Sequence, residues 1–228
     1  MPPTIVRSDN IAATALDLVR ERLLQALDER GSATLVLSGG STPVPLYRLL
    51  ADSDLTWERI HLFWGDERFV PHDHEESNYG AARRVLIDQL DIPEGNVHPW
   101  PILASPEASA EAYSDILQST LGPDNVFDVT LLGLGADGHT ASLFPGTGTV
   151  HAQGLTVASR PEGISTQRLS LTARALSDSR TVLWLVSGTD KLPALRDLLA
   201  EEAPGPDEYP ARAISALGEQ LLVTDLEV

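Results

Sequence analysis

The sequence predicts an α/β fold: a doubly wound sandwich with a mostly parallel central sheet between helices. Short apolar runs of strand length alternate along the chain with longer segments of helical periodicity. The run Val129–Leu132 is apolar except for Thr130, which is typical of a strand that is covered on both faces of a parallel sheet. A length of 228 residues, without an internal repeat or a long linker, favours one domain over residues 1–228.

The first third of the chain shows this alternation. A short first strand is predicted at Ile5-Val6, and apolar residues at helical spacing predict a helix from Asn10 to Arg30, where Gly31 supplies the stop. The apolar run Thr34–Ser38 predicts the next strand. A helix over Val44–Ala51 follows it.

The same pattern continues to the C-terminus. Further strands are predicted at Ile60–Trp64, Phe127–Leu134, Leu155–Ala158, Arg168–Thr172, Thr181–Val186 and Gln220–Thr224. Further helices are predicted from Ser77 to about Leu90, from Ser105 to Gly122, and up to Ala200 with Lys191 in the first turn. A Pro-rich acidic loop covers Glu201–Pro210.

The charge and the cysteine content exclude several classes of protein. The net charge of −17, from 33 acidic and 16 basic residues, argues against nucleic acid or an anionic membrane as a partner. Without cysteine, the chain has no disulfides, no thiol nucleophile and no cysteine metal site. No signal pattern or membrane-length apolar run is present, so we expect a cytoplasmic protein.

The turn between the second strand and the second helix is a candidate phosphate site. It reads Gly39-Gly40-Ser41-Thr42-Pro43 and presents backbone N–H groups and hydroxyls at the positive end of a helix. The alternative is an ordinary turn in which Ser41 or Thr42 caps the helix. The local sequence does not decide between them.

A glycine-rich loop with Asp137 and His139 follows the central strand. In open α/β sheets, ligands bind at the carboxyl ends of the strands, so this loop is the first candidate for catalysis. The glycines at positions 133, 135 and 138 also match a dinucleotide fingerprint. That fingerprint requires a full helix and an acidic residue about 20 positions later, and Pro145 prevents such a helix, so we expect no NAD.

Three other charged segments are candidates. Asp66 and Arg68 follow the third strand, as site residues or as a solvated loop. His72 and His74 lie in an extended polar segment without metal-ligand spacing, so we expect solvent exposure rather than a metal. Lys191 is the only lysine and is predicted in the first turn of a helix, where the helix dipole disfavours a cation. A bound phosphate would explain it, and a surface lysine is the alternative.

Together these segments resemble the family of 6-phosphogluconolactonases and glucosamine-6-phosphate isomerases/deaminases. The resemblance rests on Leu37–Pro43, on Trp64–Pro71 with Ser77-Asn78-Tyr79, and on Gly133–Pro145. Arg168–Thr172 and Ser187–Lys191 match weaker segments of the family in the same order. The resemblance covers nearly the whole chain.

The resemblance implies a Rossmann-like three-layer sandwich and an enzyme without cofactor or catalytic metal. The implied activity is hydrolysis of 6-phospho-D-glucono-1,5-lactone, a phosphorylated sugar lactone, in the pentose phosphate pathway. The implied phosphate ligands are Gly39, Gly40, Ser41, Thr42, Arg168 and Lys191. The residues implied around the lactone are Asp66, Arg68, Asp137 and His139, with His139 as the general base.

Two other functions remain possible from the sequence. The isomerase/deaminase branch has a glutamate where this chain has Phe144, and typically a tyrosine where it has Arg68. A regulatory domain that binds a sugar phosphate without catalysis is the second, but His139, Asp137 and Asp66 are all retained. We therefore expect the lactonase.

Overall fold

The computed structural model describes residues 2–202 and 204–228. The strands are β1 (Thr4–Arg7), β2 (Ala33–Leu37), β3 (Ile60–Trp64), β4 (Asp66–Arg68), β5 (Val97–His98), β6 (Phe127–Leu132), β7 (Thr156–Ser159), β8 (Arg168–Leu171), β9 (Ser179–Val186) and β10 (Glu219–Thr224). The helices are α1 (Ile11–Arg30), α2 (Val44–Ala51), α3 (Asn78–Val85), α4 (Pro106–Leu121), α5 (Ala173–Ser177) and α6 (Leu192–Leu199).

Seven strands form a parallel sheet in the order β1-β10-β9-β6-β2-β3-β5. The chain runs outward from β2 to β3, and then returns to place β6 on the other side of β2. This reversal between β2 and β6 is a topological switch point, where open α/β sheets bind their ligands. The predicted α/β class and the central position of β6 are confirmed.

A second sheet of three antiparallel strands, in the order β4-β8-β7, was not predicted. Strands β7 and β8 appeared in the sequence as members of one sheet. The segment Asp66–Arg68, predicted to follow β3 as site residues or as a solvated loop, forms the short strand β4. Its pairing with β8 sets Arg68 opposite Arg168 and Asp66 opposite Ser170.

The core is formed by the central strands and the apolar faces of the helices. All six residues of β6 are buried, Asp128 and Thr130 together with its four apolar residues. Helix α1 buries Ala15, Val19 and Leu23, and ends where Gly31 adopts a φ of 80°. Each fully buried Leu or Val side chain contributes about 1.5–3 kcal/mol, so these elements hold the edge of the sheet rigidly.

Two helix predictions need correction. The helix expected to reach Leu90 ends at Val85, because the backbone leaves helical geometry at Leu86, whose side chain is fully buried in the core. Lys191 does not lie in the first turn of α6. It ends a short 3-10 turn and occupies the N-cap position of that helix. Among the described residues, no helix combines the length and apolar character needed to cross a bilayer.

Candidate active site

One cleft of about 270 Å³ lies at the switch point between β2 and β6. Its walls are the loops that follow β2, β3, β6 and β9, so the carboxyl ends of four strands meet there. The candidate residues that line it are Gly39, Gly40, Ser41, Thr42, Asp66, Arg68, His139 and Lys191. Asp137 and Arg168 do not line the cleft; each lies beside a residue that does.

The turn after β2 presents unused donors to the cleft. Within the described chain, the backbone N–H groups of Gly40, Ser41 and Thr42 donate to no protein acceptor, and the hydroxyls of Ser41 and Thr42 make no hydrogen bond. Pro43 occupies the N-cap position of α2, without a side-chain cap. The capping alternative is therefore wrong, and the turn has the free donors that bind an anion.

Lys191 supplies a cation to the same cleft, from the loop that follows β9. Its ammonium lies 3.6 Å from a carboxylate oxygen of Asp190, and about three-tenths of the side chain is exposed. Thr189–Lys191 places it directly before α6, where the helix N-terminus also attracts anions. An anion bound between Lys191 and the Gly40–Thr42 turn would meet positive charge and N–H donors together.

His139 and Asp137 form the closest side-chain pair of the site. The distance from His139 Nδ1 to Asp137 Oδ1 is 2.5 Å. Burial would raise the pKa of Asp137, but the charge of His139 and hydrogen bonds from it outweigh burial and hold that pKa below its usual range. An ionised carboxylate only accepts hydrogen bonds, so Nδ1 carries the proton. The other ring nitrogen, Nε2, is then the basic atom of the neutral imidazole, and it has no partner in the described chain.

The local backbone holds this imidazole tightly. A Cβ at Gly135 would lie 2.1 Å from His139 Nδ1, so the ring occupies space that only a glycine leaves. Gly135 N also donates to the carbonyl of His139 at 2.8 Å. The Phe144 ring stacks on the imidazole, with centroids 4.5 Å apart. Ala141 adopts a φ of 46°, which is uncommon for a residue other than glycine and is typical of functional loops.

Asp66 is a buried residue of the cleft, and both of its carboxylate oxygens accept hydrogen bonds. Ser142 Oγ donates to its Oδ2 at 2.6 Å, and Asn78 Nδ2 donates to its Oδ1 at 3.2 Å. Ser142 N in turn donates to Ser170 Oγ. No role was predicted from the sequence for Asn78, Ser142 or Ser170, although all three lie in segments that resemble the family.

Glu67, next to Asp66, has a structural role. It is completely buried, and its carboxylate accepts hydrogen bonds from Ser77 Oγ and from the backbone N–H groups of Arg68, Asn78 and Tyr79. Burial raises the pKa of Glu67, although the backbone donors oppose that shift. The carboxylate thereby ties the N-terminus of α3 to β4, which fixes Asp66 and Asn78 relative to each other.

The His72 and His74 segment is only partly as expected. His74 is exposed, and its Nδ1 accepts a hydrogen bond from Glu76 N. His72 is half-buried instead: its Nε2 donates to the carbonyl of Trp100 at 2.8 Å, and its ring lies against Tyr79. Over the described residues, no three His, Asp or Glu side chains converge as a metal site would require.

Comparisons with known proteins agree with this architecture. Residues 7–223 match the sequence profile of the glucosamine-6-phosphate isomerases/6-phosphogluconolactonase family. A 6-phosphogluconolactonase of Synechocystis sp. is 44% identical over 230 residues, covering 97% of this chain and 93% of the relative. One of Nostoc sp. is 40% identical over 226 residues, covering 94% and 91% of the two chains.

A solved structure leads to the same family. The crystal structure of 6-phosphogluconolactonase from Thermotoga maritima superposes with a TM-score of 0.89 at 32% identity, covering 97% of this chain and 99% of the other. The profile match and these relatives extend over the sheet, the cleft and all the loops that line it. The chain belongs to the glucosamine-6-phosphate isomerase/6-phosphogluconolactonase family.

Proposed function

We propose that this chain hydrolyses 6-phospho-D-glucono-1,5-lactone to 6-phospho-D-gluconate, the second step of the oxidative pentose phosphate pathway. It is a 6-phosphogluconolactonase, a carboxylic ester hydrolase, as its relatives are. The observation that carries the mechanism is the His139–Asp137 pair, which leaves a basic Nε2 beside a cleft with free anion-binding groups. We propose that residues 1–228 act as one domain. We also propose that the protein acts in the cytoplasm, because a charged sugar phosphate must be hydrolysed in the compartment that produces it.

The phosphate of the substrate binds to the turn and to the cations. The N–H groups of Gly40, Ser41 and Thr42, which have no protein acceptor, and the Lys191 ammonium together complement a phosphate dianion. A Cβ at Gly39 would lie 2.2 Å from Asn78 Oδ1, so a glycine there lets the turn pack against Asn78. Arg168, which lies opposite Arg68 in the pairing of β4 with β8, adds positive charge. The net charge of −17 gives no long-range attraction for this substrate, so its affinity rests on these local groups.

His139 then acts as the general base. Its Nε2 takes a proton from a water molecule as the water oxygen bonds to C1 of the lactone. Arg68 stabilises the oxyanion of the tetrahedral intermediate. The bond between C1 and the ring oxygen breaks, and Nε2 returns the proton to that oxygen. Asp137 holds the imidazole and stabilises its protonated form, while Asp66 fixes the floor of the cleft through Ser142 and Asn78.

The isomerase branch of the family is the second candidate, and Phe144 argues against it. Isomerisation of an amino sugar phosphate requires an acid for ring opening and proton transfer. The position where that branch has a glutamate holds the Phe144 ring, stacked on His139, which cannot transfer a proton. Lactone hydrolysis needs only the base that is present.

A direct assay separates the two activities. Purified protein is added to 6-phospho-D-glucono-1,5-lactone at constant pH, and acid release is measured after subtraction of spontaneous hydrolysis. The same preparation is incubated with glucosamine 6-phosphate, and ammonia is measured. We expect acid release that is proportional to enzyme concentration, and no ammonia. Ammonia release without accelerated lactone opening would overturn the proposal in favour of the deaminase.

A further inference from the structure

Tyr209 is a buried aromatic residue that does not line the cleft but contacts Gly138, next to His139, and Ala194 in α6. Only 4% of its surface is exposed, although the five residues before it, 204–208, are all exposed. Its hydroxyl donates a hydrogen bond to the carbonyl of Ala194 in α6. Its ring packs closely against Gly138, the residue before His139: a Cβ at Gly138 would be 2.4 Å from two ring carbons.

The neighbours of Tyr209 hold the same catalytic loop. Ala211 N donates to the carbonyl of Gly138 at 3.0 Å, and Gly146 N donates to the carbonyl of Asp207 at 3.1 Å. His151 Nε2 lies 2.7 Å from a carboxylate oxygen of Asp207. The segment 207–211 therefore contacts the His139 loop before and after the histidine. Tyr209 is the member of this segment whose side chain continues to α6.

Helix α6 begins directly after Lys191, and Ala194 lies in its first turn. The chain of contacts thus runs from His139 through Gly138 and Tyr209 to Ala194, and from there to Lys191. One end holds the proposed base and the other holds the proposed phosphate ligand. Their separation must match the distance from C1 to the phosphate of the substrate, because a displacement of about 1 Å in such a site can lower a rate about 100-fold.

We propose that Tyr209 is a positioning residue, which sets the distance between the His139 loop and the Lys191 end of α6. It touches no reacting atom and acts through Gly138 and Ala194. The inference rests on the proposed function, and turnover by the wild-type enzyme tests that function separately. A change at Tyr209 should therefore lower kcat more than it weakens binding. The His139 loop and the Lys191 end of α6 each keep their own side chains, but the distance between them is no longer fixed.

The first test compares kcat with product affinity in folded variants. For Tyr209→Leu we expect kcat to fall at least about 10-fold, while the Kd for 6-phospho-D-gluconate, measured by calorimetry, changes less than about 3-fold. Tyr209→Phe keeps the ring against Gly138 and loses only the hydroxyl, so its kcat should fall less. Tyr113→Phe is the matched control. Tyr113 is also fully buried with its hydroxyl bonded to main-chain groups, but it belongs to α4, and kcat should not change.

The second test is a double-mutant cycle with His139→Ala. If Tyr209 acts by positioning His139, then Tyr209→Leu should lower kcat much less in the His139→Ala background than in the wild type. An equal factor in both backgrounds would overturn the proposal, as would an unchanged kcat or a loss of product affinity as large as the loss of kcat. If Tyr209→Leu does not fold, Tyr209→Phe replaces it in the same cycle. A Tyr209→Phe kcat equal to that of the wild type overturns the proposal. A lower kcat, with a loss that depends on the presence of His139, supports it.

Discussion

Arg68 and Arg168 face each other across the antiparallel pair β4–β8, and within the described chain neither guanidinium has a carboxylate partner. Their hydrogen bonds go to main-chain carbonyls: Arg68 Nη1 to Glu76 at 2.5 Å, and Arg168 Nη1 to Thr166 at 3.2 Å. Burial, and next the charge of Arg68, lower the pKa of Arg168. Two unpaired cations side by side repel each other, and an anion between or beside them relieves this repulsion.

Because Arg68 and Arg168 repel each other, we expect phosphate to stabilise the free enzyme by binding at Arg168. Inorganic phosphate should raise the Tm of the wild type, because it binds the folded state, and should raise the Tm of Arg168→Gln by less. Without phosphate, Arg168→Gln should be as stable as the wild type or slightly more so. Arg174→Gln, which removes an exposed arginine on α5, is the control. Equal phosphate-induced Tm shifts in wild type and Arg168→Gln would remove Arg168 from anion binding.

Lys191→Ala should raise KM strongly and leave Tm equal or slightly higher. The ammonium lies at the N-terminal end of α6, where the helix dipole is unfavourable to it unless an anion is bound. Lys191→Arg should restore only part of the affinity, since a planar guanidinium does not replace a compact ammonium. Arg196→Ala, at the other end of the same helix, is the control. Steady-state kinetics and thermal melts decide this, and an unchanged KM in Lys191→Ala would contradict phosphate binding there.

Asp137→Asn should lower kcat at least about 10-fold with little change in KM, because the neutral amide no longer stabilises the imidazolium or fixes its tautomer. The pKa of Asp137 lies below its usual range. The stabilising contribution of the ionised Asp137 is therefore present above the unfolded-state pKa and is lost as pH falls through the folded-state pKa. The Tm difference between wild type and variant should accordingly shrink in acid. A kcat equal to that of the wild type would show that Asp137 does not act on His139.

Most of the main sheet could be predicted because its strands are mostly apolar, as in the run Val182–Val186 of β9. The antiparallel sheet could not, because the short strands β4 and β8 carry charged and polar residues that also suit a loop. The turn Gly39–Thr42 and the His139 loop carried local signals of a site. Tyr209 carried none: it contacts residue 138, which is far away in sequence, and it lies within the segment Glu201–Pro210 that was predicted as a loop, of which residue 203 lies outside the described residues.

The half-buried histidine pair His61–His98 predicts acid sensitivity that is independent of the cleft. Nδ1 of His61 and Nε2 of His98 are 3.1 Å apart, which requires one of them to act as acceptor. Burial, followed by the charge of His61, lowers the pKa of His98 to about 4. Between the ordinary value of 6.5 and about 4, the unfolded chain binds a proton that folded His98 does not, so stability falls as pH falls through this range.

His98→Phe should weaken this pH dependence while keeping the stacking on Phe63. Urea unfolding at several pH values between 7 and 4.5 measures it, and the change in unfolding free energy across the range should be smaller in the variant. His74→Phe, at an exposed histidine, is the matched control and should follow the wild type. The same pH dependence in wild type and His98→Phe would mean that this pair is not the source of acid sensitivity.

The central claim is that His139 is the base of a lactone hydrolase. The most direct measurement is the rate of acid release from 6-phospho-D-glucono-1,5-lactone by wild type and His139→Ala at equal folded concentration, after subtraction of spontaneous hydrolysis. A positioned base contributes about 100- to 10,000-fold, so kcat of His139→Ala should fall at least about 100-fold while its circular dichroism spectrum stays that of the wild type. A folded His139→Ala enzyme with near-normal kcat would contradict the account.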